Sequence, residues 1–410
     1  MSDTLAGIEE RRALWAAWRY PAYRLLFISS LGTYIGRWTD TVVGAWLVLQ
    51  LTDSPFLVGL LGTCRFIAML LGPVCGAVAD RFNRRLILIL AQVTYALGAV
   101  IIMALFLTDI LEVWHLFLFT IISGICYTFD YSTWHAAAAD IVEKRHLVAA
   151  ISLLFVSQGS TAVLGPLLGG SLLGVIGASG CFALIAASFL FSFLMLLPMR
   201  IDVPQRPLSE SMWRHLIDGM RYIGRDRTLL ALILLAALAN LLVFPYWFTL
   251  MPVFARDVLH TAASGYGQLM AAVGFGYAIG PLIAASLPPS ANKGRILVAV
   301  IIAWPSILLL FAFSHTFPLS LGLLFLAGTS QGMSMALIQS LLLMWSAEEM
   351  RGRVSGARAF AVGTLPLGNL MTGAGAGLWG APAMLVIDAS AAIIIILIIT
   401  VWASILLKPR

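Results

Sequence analysis

Long apolar runs constrain this chain more than any other feature. One begins at Leu229, and the last covers residues 391–407. An apolar run of about 20 residues is long enough to cross a bilayer as a helix. Because lipid cannot hydrogen-bond to exposed backbone groups, spanning segments must be helices or a closed barrel. Barrel strands would alternate apolar and polar residues, and these runs do not. The sequence therefore predicts an all-α integral membrane protein.

Twelve transmembrane helices can be placed along the chain. Their predicted bounds are residues 22–50, 55–79, 85–107, 113–139, 148–174, 179–198, 228–255, 263–287, 295–314, 317–345, 354–378 and 381–407. The longest polar stretch, residues 199–227, divides the chain into an N-terminal six-helix half, 1–198, and a C-terminal six-helix half, 228–410. For residues 212–222 of this linker, an amphipathic surface helix and a solvated segment remain equal alternatives.

Positive charges predict the orientation, since cytoplasmic loops carry an excess of Lys and Arg. With residue 1 inside, 22 of the 25 Lys and Arg residues fall in or beside cytoplasmic segments. Arg256 alone falls in an external loop, while Arg37 and Arg65 lie within spans. We therefore expect a multi-pass protein of the cell (inner) membrane with both termini cytoplasmic. The net charge of +6 then reflects topology, and we expect no nucleic-acid partner.

The two halves look like repeats of one another. Gly59 and Gly267 occupy matching places early in spans two and eight, and the pairs Gly72-Pro73 and Gly280-Pro281 match at the same spacing. Repeated halves that each contain inverted three-helix units are typical of secondary transporters. Glycine and proline in such helices permit close packing and bending.

The loop after span two carries a recognisable pattern. It combines a glycine, an aspartate four residues later, an arginine and a basic pair, with Asn83 in the turn. The residues are Gly76, Asp80, Arg81, Arg84 and Arg85. This pattern resembles the signature between spans two and three of the major facilitator superfamily. The resemblance implies a gating role, in which Asp80 holds the two halves together on the cytoplasmic side.

Further segments resemble one branch of that superfamily, which contains enterobactin exporters and macrolide efflux pumps. They are Tyr23 to Gln50, Phe129-Asp130 with Ala136, residues 164–170 and residues 351–354. The resemblance implies the major facilitator fold, alternating access and export of small organic molecules, often driven by protons. In this chain, Ser132-Thr133-Trp134-His135 replaces the Pro-Ala-Arg-Gln run of that branch.

Charged residues inside the spans are candidate functional groups, because each costs roughly 2.5–3.5 kcal/mol to insert. They are Arg37, Asp40, Arg65, Asp130 and Asp388. Helical spacing places Arg37 and Asp40 on one face of span one, and Tyr127, Asp130 and Trp134 on one face of span four. The family architecture implies that both faces line the central cavity.

We expect Arg37 and Arg65 to bind an anionic or polar substrate group, and Asp130 or Asp40 to take up a proton. The alternative is that Arg37 and Asp40 neutralise each other structurally. For Asp388 we expect a structural role. His135, near the end of span four, is interpreted as a capping or surface residue.

The second half contributes aromatic and amide side chains to the predicted substrate site. Asn240, Phe244 and Trp247 share a face of span seven, and Gln331 lies on span ten. Gln268 and Tyr277 of span eight are further candidates. A cavity that is charged on one side and aromatic on the other suits an amphipathic ligand. Ordinary helix packing is the alternative interpretation of these aromatic residues.

The sequence contains neither a nucleotide-binding glycine loop nor an HEXXH or zinc-type cysteine pattern. We therefore expect no cofactor, no metal and no enzymatic activity. The leading hypothesis is a monomeric, proton-coupled exporter of a small amphipathic organic molecule, such as a drug or a siderophore-like compound. An importer or facilitator of an organic anion is one alternative, and a non-transporting membrane sensor with the same fold is another.

Overall fold

The computed structural model describes residues 15–72, 75, 82–199, 212–288 and 290–403. Every regular element in this part of the chain is helical. Several helices begin with proline in their first turn, where the missing N–H is not needed. The second helix shows this at Pro55, and the Ser54 hydroxyl just before it accepts a hydrogen bond from the backbone N–H of Leu57. Ser54 and Pro55 therefore mark the start of this helix.

The helices before the linker are α1 Pro21–Thr52, α2 Pro55–Phe66, α3 Arg84–Leu107, α4 Val113–Ile141 and α5 Leu147–Leu196. A 3₁₀ segment, Ile67–Leu71, continues α2. Helix α5 covers two predicted spans, and it bends between them at Gly177, whose φ of 68° lies in the left-handed region that glycine adopts easily.

The later helices are α6 Met212–Arg225, α7 Arg227–Leu238, α8 Ala263–Ala285, α9 Lys293–Ala312, α10 Phe317–Trp345, α11 Arg351–Val362, α12 Leu365–Trp379 and α13 Ala381–Trp402. Helix α7 continues to Val258 through π-helical segments. Of the two alternatives for the linker, the helix is the one observed, as α6. The Tyr222 hydroxyl on α6 accepts a hydrogen bond from the Ala347 N–H.

Eight helices in the described part of the chain are long and apolar enough to cross a membrane. The protein is therefore a multi-pass α-helical membrane protein. A shorter apolar helix, Pro55–Leu70, occupies the second predicted span. The first predicted span, which holds Arg37 and Asp40, is the continuous helix α1.

Glycines set two close crossings between helices from opposite sides of the linker. A Cβ on Gly59 of α2 would lie 2.7 Å from the Cα of Gly373 on α12. A Cβ on Gly170 of α5 would lie 2.8 Å from the Cα of Gly267 on α8. Real Cβ atoms do not approach so closely, so only glycine permits these crossings. The repeat positions Gly59 and Gly267 thus each permit close contact between two helix backbones.

Candidate functional site

A small cavity lies among α1 to α5, the helices before the linker. Its lining residues are Arg37, Asp40, Arg65, Tyr95, Ser123, Gly124, Tyr127 and Phe189. Four residues predicted from sequence, Arg37, Asp40, Arg65 and Tyr127, therefore meet at one place. Helix α4 can approach α2 here because Gly124 has no side chain, and a Cβ on it would lie 2.5 Å from the Arg65 carbonyl oxygen.

Asp40 and Arg65 form a buried ion pair. The Nη1 of Arg65 donates to the Oδ2 of Asp40 at 2.8 Å, and the two side chains are 12% and 5% exposed. The Nη2 of Arg65 is buried and has no hydrogen-bond partner among the described residues. The alternative in which Arg37 neutralises Asp40 is therefore wrong, because α2 supplies the arginine that pairs with this carboxylate.

Arg37 instead lies over an aromatic ring. Its guanidinium carbon is 3.6 Å from the centroid of the Tyr127 ring and 5.8 Å from that of Tyr34. A cation at this distance is attracted by the electron-rich face of the ring. Within the described part of the chain, no carboxylate lies in salt-bridge distance of Arg37. This arginine thus presents a positive charge at the cavity that has not been neutralised by direct pairing.

Asp130 is completely buried on α4. The Tyr95 hydroxyl donates to its Oδ2 over a long 3.4 Å, and its Oδ1 has no hydrogen-bond partner among the described residues. The Tyr95 ring stacks on Phe189 at 4.7 Å, which holds the phenol in place. The Arg37 charge is close enough to attract Asp130 electrostatically. Burial with so few hydrogen bonds disfavours the charged form of a carboxylate, so this group is a candidate for proton binding.

Sequence reasoning missed the contribution of α3. Its Gln92 accepts a hydrogen bond at 3.1 Å from the Thr33 hydroxyl, which also contacts the Ser192 hydroxyl at 2.7 Å. Gln92 and Tyr95 are three residues apart in a largely apolar span, so they share a helix face. That spacing was the available signal for a polar face directed at the site.

A second group of residues packs where α1 and α2 meet α7. We call it the aromatic cluster, and its members are Trp38, Phe66, Phe244, Trp247, Phe248, Tyr277 and Trp304. Trp38 stacks on Trp247 at 5.4 Å, and Phe66 meets Phe248 edge-on at 4.9 Å. The cluster therefore joins helices before the linker to helices after it. Phe244, Trp247 and Tyr277 were predicted from sequence, whereas Trp38 and Phe248 were not.

The amide side chains predicted for the site have local partners. Asn240 donates to the Ala236 carbonyl at 2.8 Å, within its own helix. Gln331 is buried, and its Oε1 accepts a 3.1 Å hydrogen bond from the Tyr246 hydroxyl. The Nε2 of Gln331 has no partner in the part of the chain described. Gln268 is exposed, so the structure does not bring it to the cavity.

The other candidates have contacts of their own. Trp134 is 1% exposed and packs with Tyr23 and Leu88, and its indole lies close enough to Asp130 to interact with that carboxylate. Asp388 on α13 accepts a 2.7 Å hydrogen bond from Thr372 on α12, which satisfies it within its own half. The Nδ1 of His135 lies 3.0 Å from the Tyr131 carbonyl oxygen one turn earlier in α4.

The predicted gating residues are partly described. Gly76, Asp80 and Arg81 lie outside the described residues. Arg84 at the start of α3 forms an ion pair with Asp140 and donates to the Ala136 carbonyl. Arg85 donates to the carbonyl oxygens of residues 196 and 197. These contacts of Arg84 and Arg85 tie the ends of α3, α4 and α5 together within the first half.

Comparison with known protein families shows to which family the chain belongs. Residues 12–407 match the family described as transmembrane secretion effector. The chain belongs to this family of the major facilitator superfamily. Among its curated relatives, the enterobactin exporter EntS of Shigella flexneri is 27% identical over 82% of this chain and 80% of its own length. EntS of Salmonella typhimurium is 28% identical over 82% and 81%.

Solved structures of transporters share the fold. A bacterial homolog of the human lysosomal transporter Spinster, in an inward-facing and unoccupied conformation, gives a TM-score of 0.72 at 15% identity. The match covers 94% of this chain and 96% of that one. A POT family transporter in complex with a thioalcohol-conjugated peptide gives 0.74 at 12% identity, over 94% and 96%. At these identities the likeness shows the fold alone.

Proposed function

We propose that the protein is a secondary active transporter that exports a small amphipathic organic molecule, drug-like or siderophore-like, in exchange for protons. The family match and the relatives named as exporters support transport. The observation that carries the coupling proposal is Asp130, a fully buried carboxylate with one oxygen unpartnered among the described residues. Proton movement requires a group whose charge can be removed, and Asp130 is beside a cation that cannot lose its own charge.

The proposed architecture has twelve transmembrane helices in two six-helix halves, residues 1–198 and 228–410, joined by a cytoplasmic linker, 199–227. The positive-inside bias supports cytoplasmic termini and an inner-membrane location. The shared packing of Gly59 and Gly267 in two equivalent crossings supports repeated halves. We propose that the protein works as a monomer.

Alternating access accounts for the contacts between the halves. At the ends of α1 and α7 that are predicted to be external, Arg256 donates to the Leu49 carbonyl oxygen at 3.0 Å and to Asp53 at 2.7 Å. Both glycine crossings also lie toward that side. These contacts support a state closed to the outside, and they must separate when the cavity opens outward. We keep Asp80 as a proposed gate for the cytoplasmic side.

Within this mechanism, Arg37, Tyr127 and the aromatic cluster form the proposed substrate site. The aromatic rings offer apolar contact, while Arg37 offers a fixed positive charge. Ionised Asp130 can accept a hydrogen bond from a donor group of the substrate, and protonation of Asp130 removes that negative charge and weakens the interaction. The proton and the substrate therefore compete for the site, as exchange of one for the other requires.

The test is transport by purified protein in proteoliposomes. Enterobactin, the molecule named for the relatives, is the first probe, alongside a thermal-shift panel of amphipathic drugs. We expect accumulation against the probe gradient when an inward proton flow is imposed, together with a proton flux reported by a trapped pH dye. Counterflow without any proton dependence would remove the coupling proposal. No counterflow for any ligand that binds would favour the sensor hypothesis.

A further inference from the structure

The small cavity among α1 to α5 is lined by hydrogen-bonding groups that the described part of the chain leaves without partners. The Nη2 of Arg65 is one of them. The hydroxyl of Ser123 on α4 is another, on a residue that is only 7% exposed. A buried polar group without a partner costs free energy, and ordered water or an ion commonly satisfies it. The two groups therefore indicate a ligand that accepts hydrogen bonds.

The ion pair with Asp40 fixes the position of the free Arg65 nitrogen. Asp40 accepts a hydrogen bond from Nη1 at 2.8 Å, and because a guanidinium is planar, this bond also restricts where Nη2 can lie. A Cβ built on Gly44 of α1 would lie 4.0 Å from Nη2 and 3.8 Å from the Oδ1 of Asp40. The missing side chain of Gly44 thus leaves space beside this nitrogen.

The cavity lining carries more positive than negative charge. It contains two arginines, Arg37 and Arg65, whereas Asp40 is the single carboxylate among the described residues that line it. Asp40 is already paired with Arg65. Arg37 contacts the Tyr127 ring, which attracts a cation but carries no charge to balance it. A charge that is buried away from water without a counterion is costly, so the lining favours an anion.

The size of the cavity limits this anion to a small one. Its volume is about 10 Å³, roughly what one water molecule needs. A monatomic anion fits such a space, whereas a carboxylate attached to an organic molecule is too large for it. A water molecule would accept the same hydrogen bonds but would leave the positive charge unbalanced.

We propose that this cavity binds a single halide ion, with chloride as the physiological ligand. The donors are the Nη2 of Arg65, the Ser123 hydroxyl and the Arg37 guanidinium. Hydrogen bonds in which one partner is charged are the strong ones, and the ion supplies the negative charge that the lining lacks. These donors come from α2, α4 and α1, so the bound ion joins three helices. The site goes beyond the proposed export function and does not depend on it.

The experiment measures equilibrium binding of radiolabelled chloride and the unfolding temperature of the full chain in detergent. Sodium gluconate is replaced stepwise by sodium chloride at constant ionic strength. We expect saturable binding of one ion per chain and an unfolding temperature that rises with occupancy, because a ligand stabilises the state that binds it. Bromide should compete with the labelled chloride. Sulfate, which is larger and divalent, should not.

Ser123→Ala should weaken chloride binding by about tenfold, the loss of one hydrogen bond to a charged group. Because the Ser123 hydroxyl has no partner among the described residues, the variant should unfold in gluconate at the same temperature as the parent protein. Its deficit should appear only in chloride. Ser132→Ala makes the same change at an exposed position of α4 and should leave chloride binding unchanged.

Arg37→Gln should abolish saturable chloride binding, since it removes the unbalanced charge. Arg24→Gln is the control, because it makes the same charge change at an exposed position of the same helix. If Arg37→Gln does not give folded protein, the comparison of Ser123→Ala with Ser132→Ala decides the matter.

Absence of saturable chloride binding to the parent protein would overturn the proposal and assign the cavity to water. Equal chloride affinities of Ser123→Ala and Ser132→Ala would overturn it too. So would a Ser123→Ala variant that is destabilised equally in gluconate and in chloride, since that pattern marks a purely structural hydroxyl. Chloride binding that depends on Ser123, in protein without proton-driven transport, would support the halide site and contradict coupled export alone.

Discussion

Arg65 of α2 pairs with Asp40 of α1 at 2.8 Å, so two of the charges buried within the first half neutralise each other. Arg37, one helical turn from Asp40, is left to face Tyr127 and Asp130. The pairing therefore separates the intramembrane charges into two groups. One is a fixed ion pair that joins neighbouring helices. The other is a cation and a carboxylate that are not locked in a salt bridge.

The fixed pair makes a prediction about stability. Asp40→Asn leaves the buried Arg65 without its anion and should lower the free energy of unfolding by about 3 kcal/mol. Adding Arg65→Gln removes the unmatched charge and should restore much of the loss. The measurement is thermal unfolding in detergent across both single variants and the double variant.

Asp53→Asn is the control, because Asp53 is 83% exposed and its ion pair is worth little. Equal losses in the Asp40→Asn variant and the double variant would mean that the pair is not coupled. Asp40 would then return as a candidate for proton binding.

The glycine crossing between α2 and α12 predicts a second effect. Gly59→Ala places a methyl group 2.5 Å from the Asn369 carbonyl oxygen, which forces the two helices apart. We expect a lower unfolding temperature and greater labelling of cysteines between the helices. Gly174→Ala makes the same change at a helical glycine with nothing within 4 Å, and it should have no such effect. Similar behaviour of the two variants would show that the close crossing does not matter.

Arg256 predicts a shift between conformations. Its contacts with Asp53 and the Leu49 carbonyl join α1 to the end of α7, so Arg256→Gln should favour separation of the external ends. An exposed ion pair of up to about 1 kcal/mol changes a population by about fivefold. Distances between spin labels at Asp109 and His315 would report the fraction of separated molecules.

Asp257→Asn is the matched control for this test. Asp257 pairs with the same arginine within its own half, so its loss leaves the contact between halves in place. An unchanged distance distribution in Arg256→Gln would exclude a latch at this point.

The orientation can be tested by cysteine labelling. A cysteine at Ala262, in the exposed turn before α8, should react with an impermeant thiol reagent in intact cells. A cysteine at Gln205, in the linker outside the described residues, should react only after the membrane is opened. The reverse pattern would invert the topology derived from the positive charges.

The helical class and the helix positions followed from the sequence because lipid leaves the backbone so few options. Helix α1 illustrates this. A span was predicted over 22–50 although it contains Arg37 and Asp40, and the observed helix covers Pro21–Thr52. The bend at Gly177 also lies between two predicted spans. Long apolar runs mark such boundaries directly.

Pairing across helices was harder to predict. Spacing along α1 suggested Arg37 as the partner of Asp40, but spacing describes neighbours on one helix and says nothing about α2, which supplied Arg65. Tyr95 was missed for the same reason, because its role depends on a hydrogen bond to another helix.

Asp130 carries the most consequential prediction. Asp130→Asn resembles the protonated carboxylate in charge and nearly in shape. Because the amide can neither release nor bind the coupling proton, the variant should be unable to carry protons across the membrane. We expect uphill, proton-driven transport to be abolished, while ligand binding and downhill exchange remain measurable. Linkage further requires that ligand binding lose its dependence on pH, because the two affinities are coupled through this group.

The matched control is Asp388→Asn, which changes another buried carboxylate that already has a hydrogen bond from Thr372 in the second half. That variant should remain proton-coupled even if its stability falls. A mutant at Asp130 that still concentrates substrate would exclude this residue as the coupling site, and Asp40→Asn would then be tested in the same assay. If both first-half variants stay active and proton-coupled, these carboxylates are structural, because a group that cannot ionise cannot carry the proton.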